Sequence, residues 1–440
     1  MLIPGLISLV RPQFGIEGAG PTNYGVNAAA TRMFLNLISF LPEPVQEKSK
    51  SGTQGLKYGT RYNLYKESAK FTAKCNFDYI DCGYGFTGVE GIPVETTVAT
   101  GVYQHVWESS AYNEDNFQSY TVEFPDGVRT QKVNGFMFDS YKIGTESAKK
   151  LTLDFTGYSK AITDNATPST GQNDVQAIGL TGVPTGGSFI LLIDNQPVTI
   201  AYNAISSAVQ TSIRALAGIW TLATVSGSAG AWVVTNVTGV AVETFSVNYA
   251  GLTGGITPTA TVTHTTVGGM KTNPSYEVMP TDISIGWATS LAGLDNAPTI
   301  PINQFKTSIE VGARHELIWR QNPADVGAAY VKEKKADEQK ATETFMIGYT
   351  SEVATLIANT RLQGGLYFRV MFTGLQIGAT GYNRSIAFDF FCSPMWKTAN
   401  GAGEGDIRVV EFDLENLFDT SGIFCRRITA INELVSYMAA

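Results

Sequence analysis

Residues able to do chemistry are scattered along this 440-residue chain rather than gathered. The three histidines, His105, His264 and His315, stand apart from one another and from cysteine, with no HxH, HExxH or CxxC spacing, so no zinc set is spelled out. Arg314-His315-Glu316-Leu317 opens like a zincin helix but lacks a second histidine one turn on, and a strand histidine is the expected reading. Cys75, Cys82, Cys392 and Cys425 form neither a close pair nor a dense framework, which points to reduced thiols. Gly52-Thr53-Gln54-Gly55-Leu56-Lys57 has the wrong spacing for a phosphate-cradling loop, and Gly157-Tyr158-Ser159 lacks the second glycine of a nucleophile elbow. The 39 Asp and Glu residues leave room for a glycosidase pair, because sequence does not show which two would face each other. No catalytic constellation, metal or cofactor is expected.

The elements that would position such residues are strands. Hydrophobic residues make up 43% of the chain and charged residues only 16%, which describes a globular protein with neutral surface suited to subunit contacts. The 45 glycines, with many Thr, Tyr and Phe, fit short strands and tight turns. A length of 440 residues favours two or three domains. The net charge of -8 argues against gripping DNA through phosphates, yet suits a wall past which DNA slides. Met1 to Val10 is apolar but short, contains Pro4 and lacks a preceding basic region, so neither a signal peptide nor a membrane span is expected, and the product is read as soluble and cytosolic.

Residues 171–270, poor in charge and rich in Thr, Gly, Ala and Val, read as an inserted module between parts 1–170 and 271–440. Within it, Ser188–Ile193 and Pro197–Tyr202 are expected strands around a turn at Asp194-Asn195-Gln196. A helix should follow, capped by Asn203, striped by Ile205, Val209, Ile213 and Leu216 and stopped by Gly218. Trp232–Val237 and Phe245–Tyr249 complete a strand, strand, helix, strand, strand order.

The flanking parts read as distant copies. Tyr120-Val122-Phe124, a turn at Pro125-Asp126-Gly127, Phe136-Met137-Phe138-Asp139 and Leu151-Thr152-Leu153-Asp154-Phe155 recur in order as Tyr367–Phe372, a turn around Gly374, Ile386-Ala387-Phe388-Asp389 and Val410-Glu411-Phe412-Asp413-Leu414. Each copy begins with a long polar stretch, Pro42–Gly59 and Arg320–Lys340, read as loops. Their charges, Glu47, Lys48, Lys50 and Lys57 in the first and Lys332, Glu333, Lys334, Lys335, Asp337 and Glu338 in the second, are candidates for arms that order against a neighbouring subunit.

Within Gly101–Ala161, the runs Val102-Tyr103-Gln104-His105-Val106-Trp107, Ser119–Phe124, Asn134–Ile143 and Leu151–Tyr158 resemble the tail tube (major tail) proteins of long-tailed phages, in the branch with two tandem tube domains. Gly187–Leu191, Ile200–Ala204, Ala208-Val209-Gln210 and Ile213–Leu216 resemble a small module found in phage structural proteins. The resemblance implies a mainly β fold, with β-sandwich tube domains flanked by short helices and a small α+β insert. It further implies self-assembly as trimers into pseudo-sixfold rings, stacked into a tube in the virion tail, with tape measure, terminator and tail tip proteins as partners. DNA would pass through the lumen without specific binding. A virion surface adhesin that holds host glycans through aromatic residues is the alternative, and binding to glycans without self-assembly would favour it.

Overall fold

The computed structural model describes residues 12–438 without 20–23, 34–35, 52–60, 109–116, 126–129, 147–149, 297–303, 319–329, 334–340, 362–364, 400–408, 421–423 and a few one- or two-residue positions. The fold is mainly β. The first part contains β1 (Gln13–Ala19), β2 (Arg32–Met33), β3 (Leu37–Ser51), β4 (Arg61–Asn76), α1 (Cys82–Glu90), β5 (Val94–Ala99), β6 (Val102–Glu108), β7 (Gln118–Pro125), β8 (Thr130–Glu146), β9 (Thr152–Ser159) and β10 (Ile162–Thr163). The middle contains β11 (Asp174–Thr181), β12 (Gly186–Ile193), β13 (Gln196–Ala201), α2 (Ser206–Arg214), β14 (Thr224–Ser228), β15 (Ala231–Asn236), β16 (Ser246–Asn248), β17 (Leu252–Thr253) and β18 (Thr259–Thr266). The last part contains β19 (Ile283–Ala288), β20 (Gln304–Val311), β21 (His315–Ile318), β22 (Tyr330–Glu333), β23 (Ala341–Gly348), α3 (Ser351–Thr360), β24 (Leu366–Gln376), β25 (Asn383–Ala399), β26 (Val409–Asn416) and β27 (Arg426–Asn432).

Ala29–Met33 with Thr167–Thr272 form one compact unit, and the rest of the chain forms the other. In the smaller unit, β14-β15-β11-β18 make one sheet, and β13-β12-β16, with β17 also on β12, make a second. Phe189, Leu191, Val209, Ile213, Trp220 and Trp232 are buried together. The strands expected around α2 form, but β11, β14, β17 and β18 add to the expected order. Their Thr- and Gly-rich sequences show weak alternation, as in β18, where most residues keep partial exposure. The N-cap of α2 is Ile205, not Asn203, and no side chain caps it.

In the larger unit the two flanking parts share a single core: Phe77 stacks edge-on against Phe372, and Phe86 against Phe388. They also repeat one set of antiparallel pairings. The first part pairs β3–β4, β4–β9, β9–β8, β8–β7 and β7–β1. The second pairs β20–β23, β23–β26, β26–β25, β25–β24 and β24–β19. One helix follows the second strand in each, α1 after β4 and α3 after β23. The Thr350 hydroxyl caps α3 by accepting the Val353 N–H at 3.4 Å. Strands β8 and β25 both have 17 residues, and β9 and β26 both have 8.

A β-bulge fixes which residues correspond. The register shifts between Leu37 and Ser39 where β3 meets β4, and between Gln304 and Lys306 where β20 meets β23. Ser39 therefore corresponds to Lys306, and following direct partners, Lys74 corresponds to Met346, Asp154 to Glu411 and Lys142 to Lys397. The sequence match of Asp154 with Asp413 is displaced by two residues. Such a slide keeps every side chain on its face, so alternation alone does not detect it.

Two further expectations are corrected. The polar stretch from Pro42 is not a loop up to Ser51, since it continues β3, paired with β4 as far as Ser51↔Arg61. In the second part β21 and β22 form an equivalent two-stranded ribbon, His315↔Glu333 to Ile318↔Tyr330. Gly374 lies within β24, where a Cβ would meet the Tyr79 ring at 2.7 Å, and the turn instead uses Gly378 and Gly381, both at positive φ. The expected turn at Asp126-Gly127 lies outside the described residues.

Candidate functional site

All three histidines lie on strands and face carboxylates. His105 Nε2 meets the Leu434 carbonyl at 2.9 Å and Nδ1 lies 3.3 Å from Glu95; burial pushes its pKa down, against the pull of Glu95. The Asp139 carboxylate accepts the backbone N–H of His315 at 2.7 Å. In the smaller unit Thr244 Oγ1, His264 and Asp174 form a hydroxyl–imidazole–carboxylate chain, with contacts of 3.0 and 2.8 Å. The same Asp174 oxygen also accepts the N–H groups of Gly268 and Val242, so it ties loops to β11. Sequence spacing missed this chain because its members are 70 to 90 residues apart from Asp174.

A cavity of about 470 Å³ in the larger unit is lined by Tyr79, Tyr276, Glu277, Met279, Asp282 and Arg384, among others. Its polar groups are engaged with one another or with the wall. Tyr79 donates to Asp282 at 2.9 Å, Lys150 and Asn76 donate to Glu277, and the Arg384 guanidinium covers Tyr276 at 3.4 Å while pairing with Glu433.

Buried carboxylates hold the core. Glu343 accepts from Asn416 at 2.8 Å, and burial pushes its pKa up to about 8 despite that bond and nearby Arg426. Burial, then Asp81, likewise pushes Asp78 up to about 8. The native state thus holds protons that an unfolded carboxyl, at an ordinary value of 4.5 for Glu343, has released. Stability is therefore greatest at mildly acid pH and declines as pH rises through about 8. Urea midpoints measured from pH 5 to 9 should fall, and E343Q should reduce that fall without abolishing it, Asp78 supplying the rest; equal slopes would refute the assignment.

The candidate arm residues divide between two ribbons. Glu47, Lys48 and Lys50 lie on β3, with Glu47 opposite Lys66 and Lys50 opposite Tyr62. Lys332 and Glu333 lie on β22. Lys57, Lys334, Lys335, Asp337 and Glu338 lie outside the described residues. Among the described residues the structure pairs neither ribbon with the other.

What it does bring together is the two copies, strand against strand. The C-terminal half of β8 pairs with β20 over six rungs, from Tyr141↔Val311 to Glu146↔Lys306. On the core side Ile143 faces Ile309, both fully buried, and on the other side Lys142 meets Glu310 at 2.7 Å. Within a 17-stranded sheet, this joint makes a continuous antiparallel run of eight strands, β3-β4-β9-β8-β20-β23-β26-β25. Its two outer strands are the counterparts of the joined ones: β3 corresponds to β20 and β25 to β8. Among the described residues β3 pairs only with β4, and Ser393–Ala399 of β25 only with β26. Exposed apolar side chains, Leu41 and Val45 on β3 and Met395 on β25, mark these edges. Pro42, Pro44 and Pro394 each remove a donor from them, which limits indiscriminate pairing.

The sheet is also staggered. Directly opposed residues run from Ser39 through Lys74, Asp154 and Lys142 to Glu310, which lies four residues beyond Lys306, the counterpart of Ser39. Four strands thus accumulate four residues of offset. One residue per strand is the ratio of an eight-stranded barrel with shear 8 and a strand tilt of about 36°. Scans of the chain against protein-family models and curated proteins return no match.

Proposed function

We propose that the protein is a structural subunit of a phage tail tube, which assembles by strand-edge pairing into stacked rings around a lumen for the genome. The observation that carries this reading is the pair of open edges, each the counterpart of a strand already joined inside the chain. An edge that is half of a head-to-tail joint adds copies until rotation closes the ring. The stagger supports closure rather than an open ribbon, since a sheet closes only when tilted and offset. Three chains would supply six repeats, in keeping with the resemblance of the sequence to tandem tube proteins.

The face of the joined sheet turned away from the core suits a conduit wall. Lys74–Asp154, Lys142–Glu310 and Lys397–Asp413 pair across strands at 3.8, 2.7 and 3.1 Å, so each of these three lysines has an acidic partner. A wall with its lysines neutralised offers phosphates little to grip. Electron microscopy of the purified protein over a range of concentrations should show rings and tubes. A monomer that persists at the highest concentration, with tail tip and tape measure proteins supplied, would overturn the proposal.

A further inference from the structure

We propose that β3 of one chain joins β25 of the next in a single register, the one that places Glu43 opposite Lys397 and Val45 opposite Met395. The inference rests on the assembly reading above and adds the partner surface, a second copy of this chain, and its rungs.

The register follows from the internal joint. Glu310 lies four residues after Lys306, and Glu43 four residues after Ser39, so the bulge makes Glu43 the counterpart of Glu310. Lys397, opposite Glu411, is the counterpart of Lys142, opposite Asp154. The rung Glu310↔Lys142 inside the chain therefore becomes Glu43↔Lys397 between chains. The bulge and the ladder alone set this correspondence, and the same two residue types, Glu and Lys, recur at both positions.

Three independent features agree with this register. Glu43, Val45, Met395 and Lys397 are all exposed, so the pairing keeps the two outer faces together. Val45, 46% exposed, and Met395, 59% exposed, come to lie on one rung and cover each other beside the ion pair. The three prolines fall on alternate rungs, 42 with 398, 44 with 396 and 46 with 394. No rung therefore loses both of its donors, whereas a slide by two residues that set Pro44 opposite Pro394 would remove both. Beyond Glu47 the β3–β4 ribbon, with Lys48 and Lys50, runs past the end of its neighbour's edge, where it can reach further chains.

Cysteine pairing between chains tests the register. V45C and M395C, each on the otherwise intact chain, would be mixed, assembled and oxidised mildly. A disulfide-linked dimer is expected from the mixture and neither variant alone, because opposed strand residues lie within disulfide reach. L41C mixed with M395C should give none, since Leu41 then sits about 14 Å further along the strand. A second test is charge exchange: E43K should lose rings, and adding K397E in the same chain should restore them, because every joint then regains an opposite pair. Rings with cross-linking from L41C and M395C, or rings with no β3-to-β25 cross-link, would overturn the register while leaving tube assembly standing. Absence of both rings and cross-links would instead remove the assembly reading itself.

Discussion

Replacing Arg426 by methionine is expected to destabilise the larger unit by about 3–5 kcal/mol, the cost of stranding a buried charge. The Arg426 guanidinium donates to Glu90 at 2.7 Å, both side chains are at most 2% exposed, and Tyr141 donates to the other Glu90 oxygen at 2.8 Å. Without the guanidinium, Glu90 keeps the tyrosine bond but loses its counter-charge in a place water does not reach. The effect should propagate, because the same guanidinium restrains the upward pKa shift of Glu343. Adding E90Q to R426M should recover a large part of the loss, since the stranded charge is then gone. Urea denaturation of both variants checks this. A loss below about 1 kcal/mol for R426M, within the range of exposed pairs, would show that the pair is solvated.

G85A should destabilise the fold by about 3 kcal/mol, the upper end of ordinary overpacking, although alanine is the better helix former by about 1 kcal/mol. All nine residues of α1 are buried, and glycines 83, 85 and 88 let aromatic rings rest on its backbone. A Cβ at Gly85 would lie 2.0 Å from the Phe155 ring, and one at Gly83 would lie 2.1 Å from Tyr437. Phe155 itself packs against Phe138 and Phe86, so it has little room to withdraw. Truncating the ring in G85A/F155L should make the alanine far less harmful, a coupling that a double-mutant cycle would read directly. If G85A proved as stable as the parent, α1 would not be seated as described.

Rigid seating of α1 matters to assembly because the helix packs under β8, whose C-terminal half carries the internal joint. A loosened α1 should therefore weaken the ladder that positions the outer edges. Stability and ring formation are expected to fail together in G85A, whereas changes at the exposed Glu43 or Lys397 should abolish ring formation while changing stability by less than about 1 kcal/mol.

The sequence carried its information in alternation and composition. Leu151-Thr152-Leu153-Asp154-Phe155 and Val410–Leu414 were legible as strands with one buried face, because burial imposes a period of two on any half-buried strand. The helix stripe Val209 and Ile213 and the low-charge module were legible for the same reason, each having an apolar face to satisfy. The ribbons of β3–β4 and β21–β22 were not legible. The outer part of β3, Glu43 to Lys48, is mostly exposed on both faces, so no alternation announces it, and its Lys and Glu residues look like a loop.

Tertiary structure alone decided the register. Sliding one copy by two residues leaves every face as it was, and only the bulges at Ile38 and Phe305 and the joint between β8 and β20 choose among the slides. The partners of His264 and Arg426, and the rings that require glycine in α1, were likewise set by contacts between residues far apart in the chain, where local pattern has no reach.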